Sequence, residues 1–248
     1  MEHQVSRREL LGGVLLSGAG LVLAGCQSSG GTVAAAGLPG PIWPDQEPKP
    51  WVPPKPAPAP VAVSPKPAPP RYVAAPGVIP RGRWTRSNVI ASRANPMNGI
   101  NRITIHHTAM SSSSVRTESD VIRMLNNVRT GHLQRGWADL GYHYAVDPQG
   151  RVWEGRPLNW QGAHVEDQNE HNMGIVLLGN FDTQSPTADQ LAALDGFVSQ
   201  QAARYRVGVG RIYTHQELGR SACPGRNLQK YMLATRASGR GRLAMALA

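Results

Sequence analysis

Sixteen of the 21 prolines fall between Pro39 and Pro80, leaving five for the rest of the chain. Proline fixes φ and removes a backbone donor, so a stretch this dense cannot join a sheet or a helix. It cannot bury a core either, and the folded domain is expected from Arg81 onward. That leaves about 168 residues, enough for one domain with a sizeable core. Inside the proline-rich stretch the unit Pro-Lys-Pro-Ala-Pro occurs at Pro54–Pro58 and again at Pro65–Pro69. Extended polyproline II makes this a semi-rigid spacer, with a reach of roughly 100 Å at ~3.1 Å per residue.

The spacer follows an address. Arg7 and Arg8 precede Leu10 and Leu11, and an uncharged apolar run of about 15 residues leads to Gly25 and Cys26. The run is too short to span a bilayer comfortably and has the form of a signal segment. The paired arginines resemble a twin-arginine export signal. Leu23-Ala24-Gly25-Cys26 resembles a bacterial lipobox, in which cleavage precedes the cysteine and its thiol is acylated. A lipoprotein cysteine carries more than one acyl chain, which suffices for stable anchoring. The expected organisation is therefore a signal peptide at 1–25, a lipidated N-terminus and linker at 26–80, a folded domain at 81–235 and a basic tail at 236–248. The protein is expected in the cell envelope as a monomer, facing the periplasm, and on the outer membrane in a Gram-negative cell.

Only Cys26 and Cys223 are present, so a disulfide framework is excluded unless these two pair. With Cys26 acylated, Cys223 remains as a free thiol in an oxidising compartment, and metal coordination would account for it. The net charge of +10 fits nucleic acid, an anionic membrane or any polyanionic surface, and alone selects none. No Lys/Arg cluster with interleaved aromatics is present, so nucleic acid is not an expected partner.

Coarse patterning alternates strands and helices. Arg102–His107 is a β-branched strand. Thr117 with Asp120 three residues on opens a helix whose apolar face holds Val121, Ile122, Leu125 and Val128. Gly141–Val146 and Arg151–Glu154 form a hairpin about Asp147-Pro148-Gln149-Gly150, with Pro second and Gly last. The wholly apolar Gly174–Leu178 reads as a buried central strand. Thr187 and Gln190 cap a second helix, facing Leu191, Leu194, Val198, Ala202 and Tyr205 inward, and Arg211–Thr214 is a last strand. The fold class is α/β, a single mixed sheet flanked by helices, with catalytic groups expected at strand ends.

His106 and His107 close the first strand, and neighbours in a strand point to opposite faces. One should enter a cleft while the other packs toward the core. His215 closes the last strand, and Cys223 follows eight residues later. Two histidines and one cysteine from three separate points suit tetrahedral zinc with the fourth position left to water. A Cys–His nucleophilic pair is the competing chemistry for the same residues.

Ile105-His106-His107-Thr108, Gly136-Trp137-Ala138-Asp139-Leu140-Gly141-Tyr142-His143-Tyr144, Glu154-Gly155-Arg156, Gly162-Ala163-His164, and Thr214-His215 through Ala222-Cys223-Pro224-Gly225 together resemble the type-2 amidases. That family includes phage lysozyme-type amidases and peptidoglycan recognition proteins, and the resemblance spans about Pro80 to Leu228. It implies hydrolysis of the amide between N-acetylmuramic acid and L-alanine in peptidoglycan, with zinc as cofactor. It also implies zinc ligands at His106, His215 and Cys223, and a catalytic tyrosine at Tyr142. His164 and Asn172 match groove positions that contact glycan or stem peptide. Two residues before the ligand cysteine the phage enzymes carry lysine, where this chain has Ser221, which would donate a neutral hydrogen bond to the oxyanion. His143 is assigned to packing, and His132 and His171 receive no role. The alternative is a non-catalytic wall-binding module, although family members that only bind typically lack the cysteine.

Overall fold

The strand expected at Arg102–His107 forms over those residues and lies one in from an edge of the sheet. In chain order the computed structural model runs β1 (Val78–Ile79), β2 (Arg102–His107), α1 (Glu118–Gln134), β3 (Tyr144–Val146), β4 (Val152–Glu154) and β5 (Asn172–Leu177). It continues with α2 (Ala188–Tyr205), β6 (Ile212–Thr214), the single turn α3 (His215–Leu218) and α4 (Arg226–Arg236). The described residues are 77–237 with Leu243 and Leu247. They belong to the second of two units, Met1–Leu38 and Pro39–Ala248. The signal, lipobox and spacer readings, and most of the expected tail, lie outside the described residues.

The strands form one mixed sheet in the order β1-β4-β3-β5-β2-β6. Only β3 and β4 run antiparallel; every other neighbouring pair is parallel. Parallel strands covered on both faces need apolar residues throughout. Accordingly all six residues of β5 are buried, and so are the last five of β2. On one face Ile103, Ile105, Ile175 and Leu177 pack against Leu194, Phe197 and Val198 of α2 and Leu228 and Met232 of α4. On the other, Ala145, Trp153 and Val176 meet Val121, Leu125 and Val128 of α1. Each fully buried side chain of this kind contributes about 1.5–3 kcal/mol.

Both expected capping boxes form. Thr117 and Asp120 close the start of α1, and Thr187 and Gln190 that of α2, each pair exchanging side-chain and backbone hydrogen bonds. The β3–β4 turn forms around Asp147, whose buried carboxylate accepts from the Gln149 and Arg151 amides and from Trp153 Nε1.

Strand ends shift by one or two residues, as in β5, which starts at Asn172, and three boundaries differ for a physical reason. Gly141–His143 does not extend β3, because the Gly141 amide donates to His132 Nδ1 at 2.9 Å instead of to a ladder carbonyl. The sheet begins before residue 81, because Val78 and Ile79 pair with Val152 and Trp153. At the sheet edge, prolines on either side are tolerated. At the other end, α4 continues to Arg236 and Leu243 is fully buried in the core, so the fold reaches past residue 235.

Candidate metal centre

Strand direction assembles the centre. β2 and β6 are parallel, and their last paired residues are Ile105 and Thr214. One position further along, His106, still paired with Val176 of β5, and His215, the first residue of α3, stand side by side with ring centroids 4.8 Å apart. Carboxyl ends of parallel strands are where such folds place ligands. The strand alternation also sorts the histidine pair. His106 lies on the α1 side, near Tyr142. His107 lies on the α2 side, where its Nδ1 accepts from the Phe181 amide at 3.2 Å.

Cys223 comes back to this edge on the loop after α3, held there by the Gln216 amide donating to the Cys223 carbonyl at 2.8 Å. The Thr108 amide donates to Leu177 of β5, so alternation turns the His107 amide toward the β6 side, past the end of that strand. There it donates to Cys223 Sγ at 3.3 Å.

His106, His215 and Cys223 present ligand atoms that all lie within 4.8 Å of one another. His106 Nδ1 and Cys223 Sγ are 3.6 Å apart. Zn–N and Zn–S bonds of about 2.0–2.3 Å at a tetrahedral angle span an N–S edge of roughly 3.6 Å, so the donor set and its spacing fit zinc. A Cys–His nucleophilic pair would use the same 3.6 Å contact but would give His215 nothing to do.

Around the three sit other aromatic rings. The Tyr142 ring is 5.0 Å from His106 and 6.3 Å from His164. Ser221 Oγ accepts from the Cys223 amide at 3.0 Å and lies 3.4 Å from His215 Nδ1, so it touches two of the three expected ligands. Burial is the main force pushing the His106 and His164 pKa values well below the usual 6.5, reinforced for His106 by His215 and His164. These rings are neutral at pH 7 and can offer lone pairs.

Two expected groove residues are buried. Asn172 has no exposed surface; its Oδ1 accepts from Thr104 Oγ1 at 2.8 Å and its Nδ2 donates to the Gln168 carbonyl at 2.8 Å. Both polar ends are thus satisfied inside the protein, beneath the groove position that the resemblance implies for it. His164 is only 5% exposed, and its ring nitrogens lie 3.1 Å from His106 Nε2 and 3.2 Å from the Asn172 carbonyl.

Residues given no role, or no site role, turn out to pack behind Tyr142 and His164. His132 stacks on Trp137 at 4.5 Å, faces Tyr142 at 5.6 Å and anchors Gly141. Its signal was the helical spacing 121, 125, 128, 132, which continues the apolar face of α1. His143 accepts from the Gly174 amide at 2.9 Å and donates to the Trp160 carbonyl at 3.0 Å. Arg156 is buried, with its guanidinium donating to the Leu140 and Asp139 carbonyls at 2.8 and 3.1 Å. Burial lowers its pKa to about 10, still cationic at neutral pH. It therefore braces the segment that presents Tyr142.

The family model for N-acetylmuramoyl-L-alanine amidase (Amidase 2) matches residues 95–226. The chain belongs to this amidase family. Peptidoglycan-recognition protein SC2 of Drosophila melanogaster is 34% identical over 153 residues, covering 61% of this chain and 82% of that one. An N-acetylmuramoyl-L-alanine amidase of Sus scrofa is 28% identical over 159 residues, covering 62% of this chain but 26% of that longer one. Among solved structures, bumblebee PGRP-SA is 28% identical with a TM-score of 0.57, covering 63% of this chain and 93% of that one. The amidase LysC of Clostridium intestinale shares the fold at a TM-score of 0.52 and 23% identity, covering 64% of this chain and 97% of that one. The family is peptidoglycan-related, and its fold is the six-stranded mixed sheet with flanking helices found in this chain.

Proposed function

We propose that this chain hydrolyses the amide between N-acetylmuramic acid and L-alanine in peptidoglycan, with zinc held by His106, His215 and Cys223. The observation that carries the reading is the cluster of those three residues at the carboxyl ends of β2 and β6, with ligand atoms within 4.8 Å of one another. Peptidoglycan as the partner is supported by family membership and by solved relatives, such as PGRP-LE, bound to tracheal cytotoxin, a monomeric diaminopimelic acid-type peptidoglycan. A zinc ion bound there supplies Lewis acidity for the lactyl carbonyl and acidifies a water.

The chain's own residues do the rest. Tyr142, beside His106, donates its phenolic hydrogen to the developing oxyanion or passes a proton toward the leaving amine of L-alanine. Ser221 orients His215 and Cys223 and adds a neutral hydrogen bond. No lysine stands two residues before Cys223, so the charge assistance of the phage-type enzymes is absent. The same reading includes export and acylation at Cys26, with the proline-rich stretch as spacer between membrane and domain.

The test is metal content. One zinc per chain is expected in wild type, lost in His106→Ala and retained in His107→Ala, whose ring faces the other side of the sheet. Zinc that stays in His106→Ala and leaves in His107→Ala would reverse the assignment. A wild type that binds none would remove the cofactor from the reading.

A further inference from the structure

His164 lies in a slot that is built for its ring. Added Cβ atoms on Gly162 and Gly174 would stand 2.3 and 2.5 Å from its Cδ2, closer than packed carbons approach, so both walls need glycine. The Asn169 carboxamide oxygen accepts from the His164 and Val165 amides at 2.8 and 3.0 Å and fixes the backbone below the ring. Asn172, whose carbonyl meets the ring, is itself pinned by Thr104 and Gln168. A ring held this way, with 5% of its surface exposed, is not a flexible substrate contact.

The proton inventory then follows from one atom. The Asn172 carbonyl can only accept, so His164 Nε2, 3.2 Å away, carries a hydrogen. In a neutral ring that leaves Nδ1 as an acceptor, and Nδ1 is the atom facing His106 Nε2 at 3.1 Å. His106 Nε2 must then be the donor, which leaves the lone pair of His106 on Nδ1, the nitrogen 3.6 Å from Cys223 Sγ. Reversing any one of these hydrogens would set two donors or two lone pairs against each other.

From this chain we infer that His164 is a positioning residue that locks the tautomer and ring orientation of His106, so that His106 Nδ1 faces the ligand cluster. The inference rests on the reading of His106 as a metal ligand. A metal-bound histidine whose other ring nitrogen is held by a fixed acceptor binds more tightly, and loss of such a partner costs about 10–100-fold in metal affinity. Here the fixed acceptor is a second histidine, grounded in turn on a carbonyl of the central strand β5.

The experiment measures zinc affinity of the full-length chain by chelator competition, together with the visible spectrum of the cobalt-substituted protein. His164→Leu fills the slot but offers no acceptor. It is expected to lose about 10–100-fold in zinc affinity and to shift the cobalt spectrum. His164→Asn, whose Oδ1 takes the place of Nδ1, should recover most of both. Unchanged affinity and spectrum in a folded His164→Leu would overturn the inference. If that variant does not fold, nitrogen NMR of the metal-free wild type decides. Both His106 and His164 are expected as the Nε2–H tautomer, and an Nδ1–H tautomer at either would overturn it. A wild type that takes up no zinc would overturn the metal reading instead, with the tautomers still deciding this one.

Discussion

At the scale of single residues, Tyr142 is the side chain on which the proposed chemistry depends most. Its ring is fixed between His106 and His132, at 5.0 and 5.6 Å. A pre-oriented hydroxyl loses no freedom at the moment of reaction, and removing one oxyanion donor costs about 10²–10³ in rate. Tyr142→Phe is therefore expected to keep its zinc and its KM while kcat falls by roughly that factor. A rise in KM with kcat unchanged would show that Tyr142 only holds substrate. The clustered residues were legible in the chain because their chemistry is rare: two histidines at or just past strand ends and a lone thiol. The burial of Asn172 and His164 was not legible, because nothing local states whether a polar side chain near a cleft faces outward. Asn172 is turned inward by Thr104, 68 positions earlier in the chain, a pairing only the β2–β5 register creates.

Among elements, α1 and the segment following it carry buried histidines that tie stability to pH. Burial lowers His132 and His143 from 6.5 to about 3. Both accept a backbone amide hydrogen at Nδ1, which a proton there would abolish. In the unfolded chain each takes up a proton near pH 6.5; in the folded chain each resists until about pH 3. The unfolded state therefore binds more protons across that window, so stability is full above pH 6.5 and declines as pH falls toward 3. Two such groups give a slope of up to about 3 kcal/mol per pH unit at ~1.4 kcal/mol each. Denaturant unfolding of the metal-free protein at pH 7, 6 and 5 should show the loss between 6 and 5, and equal stabilities would contradict it. Helix and strand identities could be read because capping boxes and β-branched runs are local signals. The early end of the β3 ladder could not, because His132 takes the Gly141 amide across the α1–β3 connection. β1 was hidden by its prolines, which only an edge position tolerates.

For the whole molecule, the proposal is a catalytic domain held at a distance from a membrane by a lipid and a stiff spacer. Among the described residues no helix is long and apolar enough to cross a membrane. On this account attachment depends on acylation of Cys26. Cys26→Ser should move the protein from the detergent-rich to the aqueous phase in detergent phase separation, and unchanged partitioning would contradict the anchor. The cleavage itself is tested most directly by counting new L-alanine amino termini after incubating purified peptidoglycan with zinc-loaded full-length protein. Wild type is predicted to release them and Cys223→Ala to release none. A wild type that sediments with the wall but frees no L-alanine amino termini would contradict the amidase and leave a peptidoglycan-binding module.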